Sequence, residues 1–311
     1  MIKKREKFFS FALGSLFFLN ILAWWVVFDL AKPKFLEVNF FDIGQGDAIF
    51  IQTPKRNQIL IDGGPTSAIL EKLGKEMSFW DRSIDLVILT HPEKDHLTGL
   101  IDVLKSYKVE NIIWTGIKRE VSEAKEWENL IKKEGAKIFI SKSGQKVRLS
   151  GGLIEILFPF EDLSGKEFEN SNDTSIVAKL VFGKNNFLFT GDISKRTEEE
   201  LSQRSNLTSD VLKVAHHGSK TSNSGEFLEK VSPAIAVISV GKKSDLRPDC
   251  DNKERNVYGQ PSCEVLEKFK NFGIKVLRTD IDGDIKIISD GINLNSKFKS
   301  QNAKLQFKIQ N

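Results

Sequence analysis

The chain has 311 residues, of which 40% are hydrophobic and 28% charged, and its formal net charge is +4. This balance excludes a disordered, collagen-like or low-complexity chain; about 280 residues beyond the N-terminal segment suffice for one large two-layer domain, and length alone would also allow two. The charge sits at the ends. Lys3, Lys4, Arg5 and Lys7 against Glu6 give three positive charges before residue 8, and Lys297, Lys299, Lys304 and Lys308 give four more after residue 290, so residues 8–290 carry a net −3. That excludes the broad basic surface of a dedicated nucleic-acid binder.

From Phe8 to Phe28 the sequence runs 21 residues without a charge, the length of a bilayer-spanning helix. Trp24 and Trp25 stand near its far end, where amphipathic rings suit a membrane interface, and the cationic cluster ahead of it favours the cytoplasmic side. Residues 1–30 are therefore expected to form a single-pass anchor with the N-terminus cytoplasmic and the catalytic domain outside. The rival expectation is a cleaved signal peptide and secretion, although no small-x-small site follows the run. Residues 35–290 are expected to be the folded domain. Residues 291–311 are a basic tail, either disordered or adding an edge strand through Leu305, Phe307 and Ile309. Cys250 and Cys263 bracket twelve residues, Asp251 to Ser262. Outside the cytoplasm a disulfide closing this loop would contribute about 3 kcal/mol; two free thiols are the alternative.

In chain order, apolar runs predict strands over 35–42, 48–53 and 58–61, and a helical pattern covers 68–77. Leu86 to Thr90 is continuously apolar, the mark of a strand buried on both faces. Helical patterns at 97–106 and 122–134 then alternate with strands at 111–114 and 137–140. Strands follow at 146–149, 154–158, 175–182 and 186–190. Asp192 or Ser194 is suited to cap a helix over 195–203. The last third reads strand 211–214, helix 226–231, strand 234–240, helix 263–272, and strands 274–277 and 284–288. Two β-rich halves with helices around them predict an α/β (α+β) fold, an αββα sandwich.

All four histidines fall in two short motifs, His91-Pro92-Glu93-Lys94-Asp95-His96 and His216-His217, each just beyond an apolar strand. A third strand delivers Thr190-Gly191-Asp192. Imidazoles and carboxylates held at strand ends are what a hydrolytic metal centre requires. On an extended loop, His91, Glu93 and Asp95 would point one way and His96 another, so one motif can serve two neighbouring ions. Asp192 reads as a bridging carboxylate, with a helix N-cap as the structural alternative. Adjacent histidines point differently, so one is expected to ligate and the other to orient a ligand or meet substrate; the reading favours His216 as ligand.

The set Phe41-Asp42-Ile43-Gly44-Gln45-Gly46-Asp47, Ile61-Asp62-Gly63-Gly64, Thr90 to Gly99, Thr190-Gly191-Asp192 and Lys213 to Ser219 resembles the metallo-β-lactamase fold, and within it the extracytoplasmic hydrolase domain of ComEC-type competence proteins. The resemblance covers about residues 35–290. It implies an αββα sandwich, a two-metal site, and phosphodiesterase or nuclease action on incoming single-stranded DNA, with a competence channel as partner. By resemblance, His91, Glu93, Asp95, His96, Asp192 and one of His216 and His217 map onto metal positions, with Asp95, Asp192 and His217 taking part in catalysis. Glu93 stands where related chains carry histidine or aspartate, which makes the site harder and lets Mn²⁺ compete with Zn²⁺. Asn172, Lys213, Ser219 and Gln260 are candidate substrate contacts. Gln260, in Tyr258-Gly259-Gln260-Pro261, replaces a histidine of the family's pattern and is expected to slow the reaction or change its specificity. An inserted stretch, Ser244 to Asn256, precedes it. Only one candidate membrane helix is present, so the chain reads as a freestanding hydrolase and not as a channel. Hydrolysis of phosphocholine esters or lactams is the neighbouring alternative. A non-catalytic module binding DNA or cell-surface polymer is the alternative from another class.

Overall fold

The computed structural model describes residues 2–31, 35–241, 258–298 and 307–309, with side chains of the first helix described at 5, 9–25 and 27. The chain divides into two compact units, 1–34 and 35–311. The first is one helix, α1 (Ile2–Ala31), on which Phe9, Phe11, Leu13, Phe17 and Trp25 are exposed. Among the described residues no helix is long and apolar enough to cross a membrane, so the expected single-pass anchor is not supported. Cys250 and the stretch 244–256 lie outside the described residues, and no free cysteine occurs among those described.

The second unit runs β1 (Leu36–Phe40), β2 (Ile49–Gln52), β3 (Gln58–Ile61), α2 (Ala68–Glu76), β4 (Ser83–Ile88), α3 (Lys94–Ser106), β5 (Lys108–Trp114), α4 (Ser122–Glu134), β6 (Lys137–Ile140), β7 (Lys146–Leu149), β8 (Gly152–Phe158), β9 (Val177–Phe182) and β10 (Asn185–Phe189). It continues through α5 (Lys195–Arg204), β11 (Val211–Lys213), α6 (Gly225–Val231), β12 (Ile235–Ile238), α7 (Cys263–Asn271), β13 (Lys275–Arg278), a one-turn α8 (Thr279–Asp282), β14 (Ile285–Ser289), β15 (Leu294–Phe298) and β16 (Phe307–Ile309). The strands form two sheets, ordered β16-β15-β14-β1-β2-β3-β4-β5-β6 and β13-β12-β11-β10-β9-β8-β7.

Strand periodicity explains the layering. In β3, Ile59 and Ile61 point into the core between the sheets, whereas Leu60 points outward beneath α2 and α3. In β10, Phe187 and Phe189 point inward and Leu188 meets α5 and α6. Both faces of these strands are covered, so their sequences are apolar without alternation. The layers are thus helix, sheet, sheet, helix, as the sequence predicts.

In the tail, β15 pairs antiparallel with β14 and β16 with β15, adding strands at the edge of the first sheet. Helix α3 begins at Lys94, not Leu97, so half of the first histidine motif is helical. Strands β3 to β6 are mutually parallel, as are β10 to β13. The segments leaving β3, β4, β10 and β11 therefore emerge at one end, joined there by the bond from Ile176 N to Thr90 O and that from His216 N to Gly191 O.

Candidate metal centre

Each functional side chain is aimed by a local backbone event. His91 stands three residues beyond the end of β4, and Pro92 then leads into α3, with Glu93 at the N-cap in an extended conformation. Asp95 and His96 occupy the helix's first turn, about 100° apart around its axis, so an alternating loop does not describe this motif. Gly46 lets the Gly44–Asp47 turn press on the same helix: its φ is +129°, and a Cβ there would lie 2.0 Å from Asp95 O. Asp192 follows Gly191, whose φ of +52° and closeness to the Ser175 side chain (2.8 Å from an added Cβ) also demand glycine. After β11 three successive residues are left-handed: His216 (φ 50°), His217 (φ 53°) and Gly218 (φ 80°). Such strain is tolerated where surrounding contacts over-determine the turn. Here it splays the two rings, leaving the His217 side chain buried and that of His216 29% exposed.

Asp95, His96, Asp192 and His217 each turn one ligand atom inward, and these atoms lie within 4.8 Å of one another. His217 Nε2 is 3.3 Å from both Asp95 Oδ2 and Asp192 Oδ2, and His96 Nε2 is 3.5 Å from Asp192 Oδ2. The opposite ring nitrogens are held from behind. His96 Nδ1 lies 2.7 Å from Asp62 Oδ2, and His217 Nδ1 lies 2.8 Å from the Ser239 carbonyl oxygen. Asp62 is fixed in turn by Thr90, which donates to it from its backbone N (2.8 Å) and Oγ1 (2.6 Å). A carbonyl can only accept, so His217 carries its proton on Nδ1, and the Asp62 carboxylate favours the same for His96. Both Nε2 atoms are thereby presented to the cluster.

The cluster fits a divalent ion. His96 Nε2, His217 Nε2 and Asp192 Oδ1 are buried without a hydrogen-bond partner, a costly arrangement that a shared cation would relieve. Two imidazole nitrogens and two carboxylates match the donor chemistry of Zn²⁺ or Mn²⁺. The electrostatics agree in sign. Burial pulls His217 down, but the negative charge of Asp192, joined by the nearby Asp95 and Asp47 carboxylates, outweighs it and carries the ring up to about 10. His96 is held well above its ordinary value, where Asp192, Asp62 and Asp95 together overcome burial. Asp192 is lowered well below the carboxylate range because His217 and His96 outweigh its burial.

The other expected residues fall differently. His91 is wholly buried, its ring centroid 4.2 Å from that of His96 and its Nδ1 3.0 Å from Thr90 Oγ1, yet it is not one of the four converging groups. Glu93 is turned aside: its Oε1 accepts from Arg119 Nη2 at 2.5 Å and from Ser171 Oγ. His216 stands at the rim, Nε2 4.0 Å from Asp192 Oδ2 and 3.4 Å from Asn172 Nδ2, so the preference between the two histidines reverses in favour of His217. Lys213 is fully buried, paired with Asp47 and 3.3 Å from Gly191 O, which removes it as a phosphoryl contact. Ser219 shares a bond with Thr221 within its turn. Gln260 accepts from Gln45 Nε2 (2.8 Å) and donates to His216 O (3.1 Å); it braces the double-histidine turn and does not stand among the reacting groups.

Comparison with known proteins follows the same outline. A family model described as the metallo-beta-lactamase superfamily matches residues 41–242. The chain belongs to the metallo-β-lactamase superfamily. Among curated relatives of this metallo-β-lactamase domain, ComE operon protein 3 of Bacillus subtilis (strain 168) is 32% identical over 270 residues, 80% of this chain and 32% of that protein. Competence protein ComA of Neisseria gonorrhoeae is 29% identical over 259 residues, again 80% of this chain and 32% of that protein. The chain thus spans about a third of the length of these relatives. Among solved structures, the metallo-beta-lactamase fold protein YhfI from Bacillus subtilis superposes with a TM-score of 0.54 at 14% identity, covering 82% of this chain and 100% of that one. With its converging acids and histidines, the chain carries the cluster of a metal-dependent hydrolase.

Proposed function

We propose that this domain is a metal-dependent phosphodiesterase acting on single-stranded DNA or a related phosphodiester. The observation that carries the reading is the convergence of His96 Nε2, His217 Nε2 and the Asp95 and Asp192 carboxylates, all but Asp95 deeply buried. These four would hold the ion, Zn²⁺ or Mn²⁺, which supplies Lewis-acid stabilisation and a nucleophilic water near neutral pH. Asp62 and the Ser239 carbonyl keep the two rings oriented. His216, whose ring is held below its ordinary value because burial outweighs the pull of Asp192, is neutral at pH 7. At the rim its Nε2 faces the Asn172 Nδ2 donor and so carries a lone pair, placed to take a proton from the attacking water. The phosphodiester substrate class is supported by the curated competence relatives together with the motif resemblance.

The binding-module alternative drew support from Gln260, and that support goes, because Gln260 serves the turn that aims His217. Hydrolysis of phosphocholine esters or lactams stays as the second reading, favoured by the net −3 of residues 8–290. An extracytoplasmic position belongs to the proposal on sequence pattern alone, the cationic cluster preceding an uncharged run. A competence channel is the proposed partner, on the motif resemblance together with the word competence in a relative's name. Reporter fusions after residue 40 test the location: periplasmic-type reporters should be active, and inactive ones overturn it.

The function itself is tested by stripping the protein with a chelator and restoring Zn²⁺ or Mn²⁺. It is then assayed on bis-p-nitrophenyl phosphate, single-stranded DNA, p-nitrophenylphosphorylcholine and a chromogenic cephalosporin. Cleavage of the first two is expected. Turnover confined to the choline ester or the lactam overturns the substrate class, and intact metal binding without any turnover would establish the binding module.

A further inference from the structure

The second metal position implied for the first histidine motif is half prepared. His91 supplies one member, since its Nε2 is buried without a hydrogen-bond partner beside His96. Glu93 should supply a carboxylate, but Arg119 Nη2 at 2.5 Å and Ser171 Oγ both donate to its Oε1. Both partners of the ion pair are substantially shielded, the Glu93 side chain 31% exposed and that of Arg119 23%. His216 Nε2 is already within 3.4 Å of Asn172 Nδ2. Among the described residues, neither His91 nor Glu93 enters any group of three or more converging ligand atoms. A second such group, Asp47, Asp62 and His96, does not offer a substitute: Lys213 sits on Asp47, and His96 Nδ1 and Thr90 occupy Asp62.

We infer that Arg119 locks Glu93 out of the metal centre, so that the chain holds one divalent ion tightly and a second only weakly. The inference rests on the metal reading above and deepens it. An arginine fork is well suited to such a lock, being always charged and gripping a carboxylate with directed hydrogen bonds. A hydroxyl on the same oxygen occupies the rest of Oε1 and fixes the direction of the carboxylate from a second side. Glu93 at the N-cap makes no side-chain capping bond, so the Arg119 and Ser171 contacts, not the helix, decide where its carboxylate goes.

The test is metal stoichiometry, read without reference to turnover. Chelator-stripped wild type, Arg119→Met, Glu93→Gln and the double variant are loaded with Mn²⁺, desalted and measured by elemental analysis, with calorimetric titration alongside and circular dichroism to verify folding. Wild type should retain one ion per chain. Arg119→Met should retain two, or tighten the second by about tenfold or more, the scale on which ligand-supporting contacts act. Glu93→Gln and the double variant should retain one, which shows that a freed Glu93 and not the lost positive charge makes the second position. Wild type retaining two ions overturns the inference, as does a folded Arg119→Met that matches wild type, or a double variant that gains an ion. If Arg119→Met does not fold, the wild-type count still decides, supported by the Mn²⁺ electron paramagnetic resonance spectrum, which separates an isolated ion from a coupled pair. A wild type retaining none contradicts the metal reading itself, an outcome distinct from the others.

Discussion

Asp62→Asn changes one atom behind the cluster and reverses what His96 offers to it. Asp62 Oδ1 accepts from Thr90 N, and Oδ2 accepts from Thr90 Oγ1 and lies 2.7 Å from His96 Nδ1. Asparagine retains a single acceptor. If that oxygen stays on the Thr90 amide, the new NH₂ faces His96 Nδ1, which must then accept, and the ring proton moves to Nε2, where the metal binds. If the amide is reversed, two N–H groups confront each other at Thr90. The backbone itself is no obstacle, since residue 62 is left-handed at φ 57° and asparagine accepts that conformation readily. Loss of an outer carboxylate alone costs about 10–100-fold in metal affinity, roughly 1.4–2.7 kcal/mol. Asp62→Ala should fall toward the lower end of that range, and Asp62→Asn at or beyond the upper end, because only the latter puts a proton in the ion's place. Competition titration against a chromophoric chelator at fixed pH measures both, with thermal melting as the folding check. A folded Asp62→Asn that binds as tightly as wild type, or more tightly than Asp62→Ala, refutes the tautomer argument.

Metal affinity should climb with pH, because His96 and His217 are held above the ordinary histidine value of 6.5 in the ion-free protein, His217 at about 10. Calorimetry in buffers of different ionisation enthalpy should show proton release on binding. For the same reason, the stabilisation that protonated His217 gives the ion-free protein is complete below about pH 6.5 and lost as pH rises through about 10. A melting temperature of the ion-free form that rises across this window would contradict it. Gly46→Ala should destabilise by roughly 3 kcal/mol or more, since its Cβ would meet Asp95 O at 2.0 Å, whereas Gly74→Ala within α2, with open space around it, should stabilise by about 0.5–1 kcal/mol; urea titration reads both. Gln260→His should not raise kcat on bis-p-nitrophenyl phosphate, because the Gln260 amide serves Gln45 and the His216 carbonyl. A clear gain would restore the view of residue 260 as a missing proton carrier.

Much of the fold was legible because burial on both faces writes itself as continuous apolar runs. Leu86 to Thr90 and Phe187 to Thr190 needed no tertiary information to be read as core strands ending at the site. The N-terminal part of α3 is hidden from sequence for a local reason: Lys94, Asp95 and His96 are polar and carry no helical apolar period, and only the packing of Leu97, Leu100 and Leu104 draws them into the first turn. The choice between His216 and His217 was closed to sequence, since it turns on two successive left-handed residues that no side-chain pattern announces. Lys213 looked like a substrate contact because its burial depends on Asp47, distant in sequence and brought near by the Gly44–Asp47 turn. Arg119 and Ser239 gave no signal at all. One lies on an ordinary charged loop, and the other acts through its main-chain carbonyl. The long uncharged run at the N-terminus was plain in composition, yet composition did not establish a membrane crossing.

The central claim, that the Asp95–His96–Asp192–His217 cluster holds the ion that drives phosphodiester cleavage, is most directly tested by one comparison. Wild type and Asp192→Ala, both stripped and reloaded with Mn²⁺ or Zn²⁺, are assayed for retained metal and for initial rate on bis-p-nitrophenyl phosphate. Wild type should retain metal and cleave, while Asp192→Ala should lose about 100-fold or more in rate, as expected when a charge-stabilising group at the reacting centre is removed. Cleavage by folded Asp192→Ala at the wild-type rate would contradict the account.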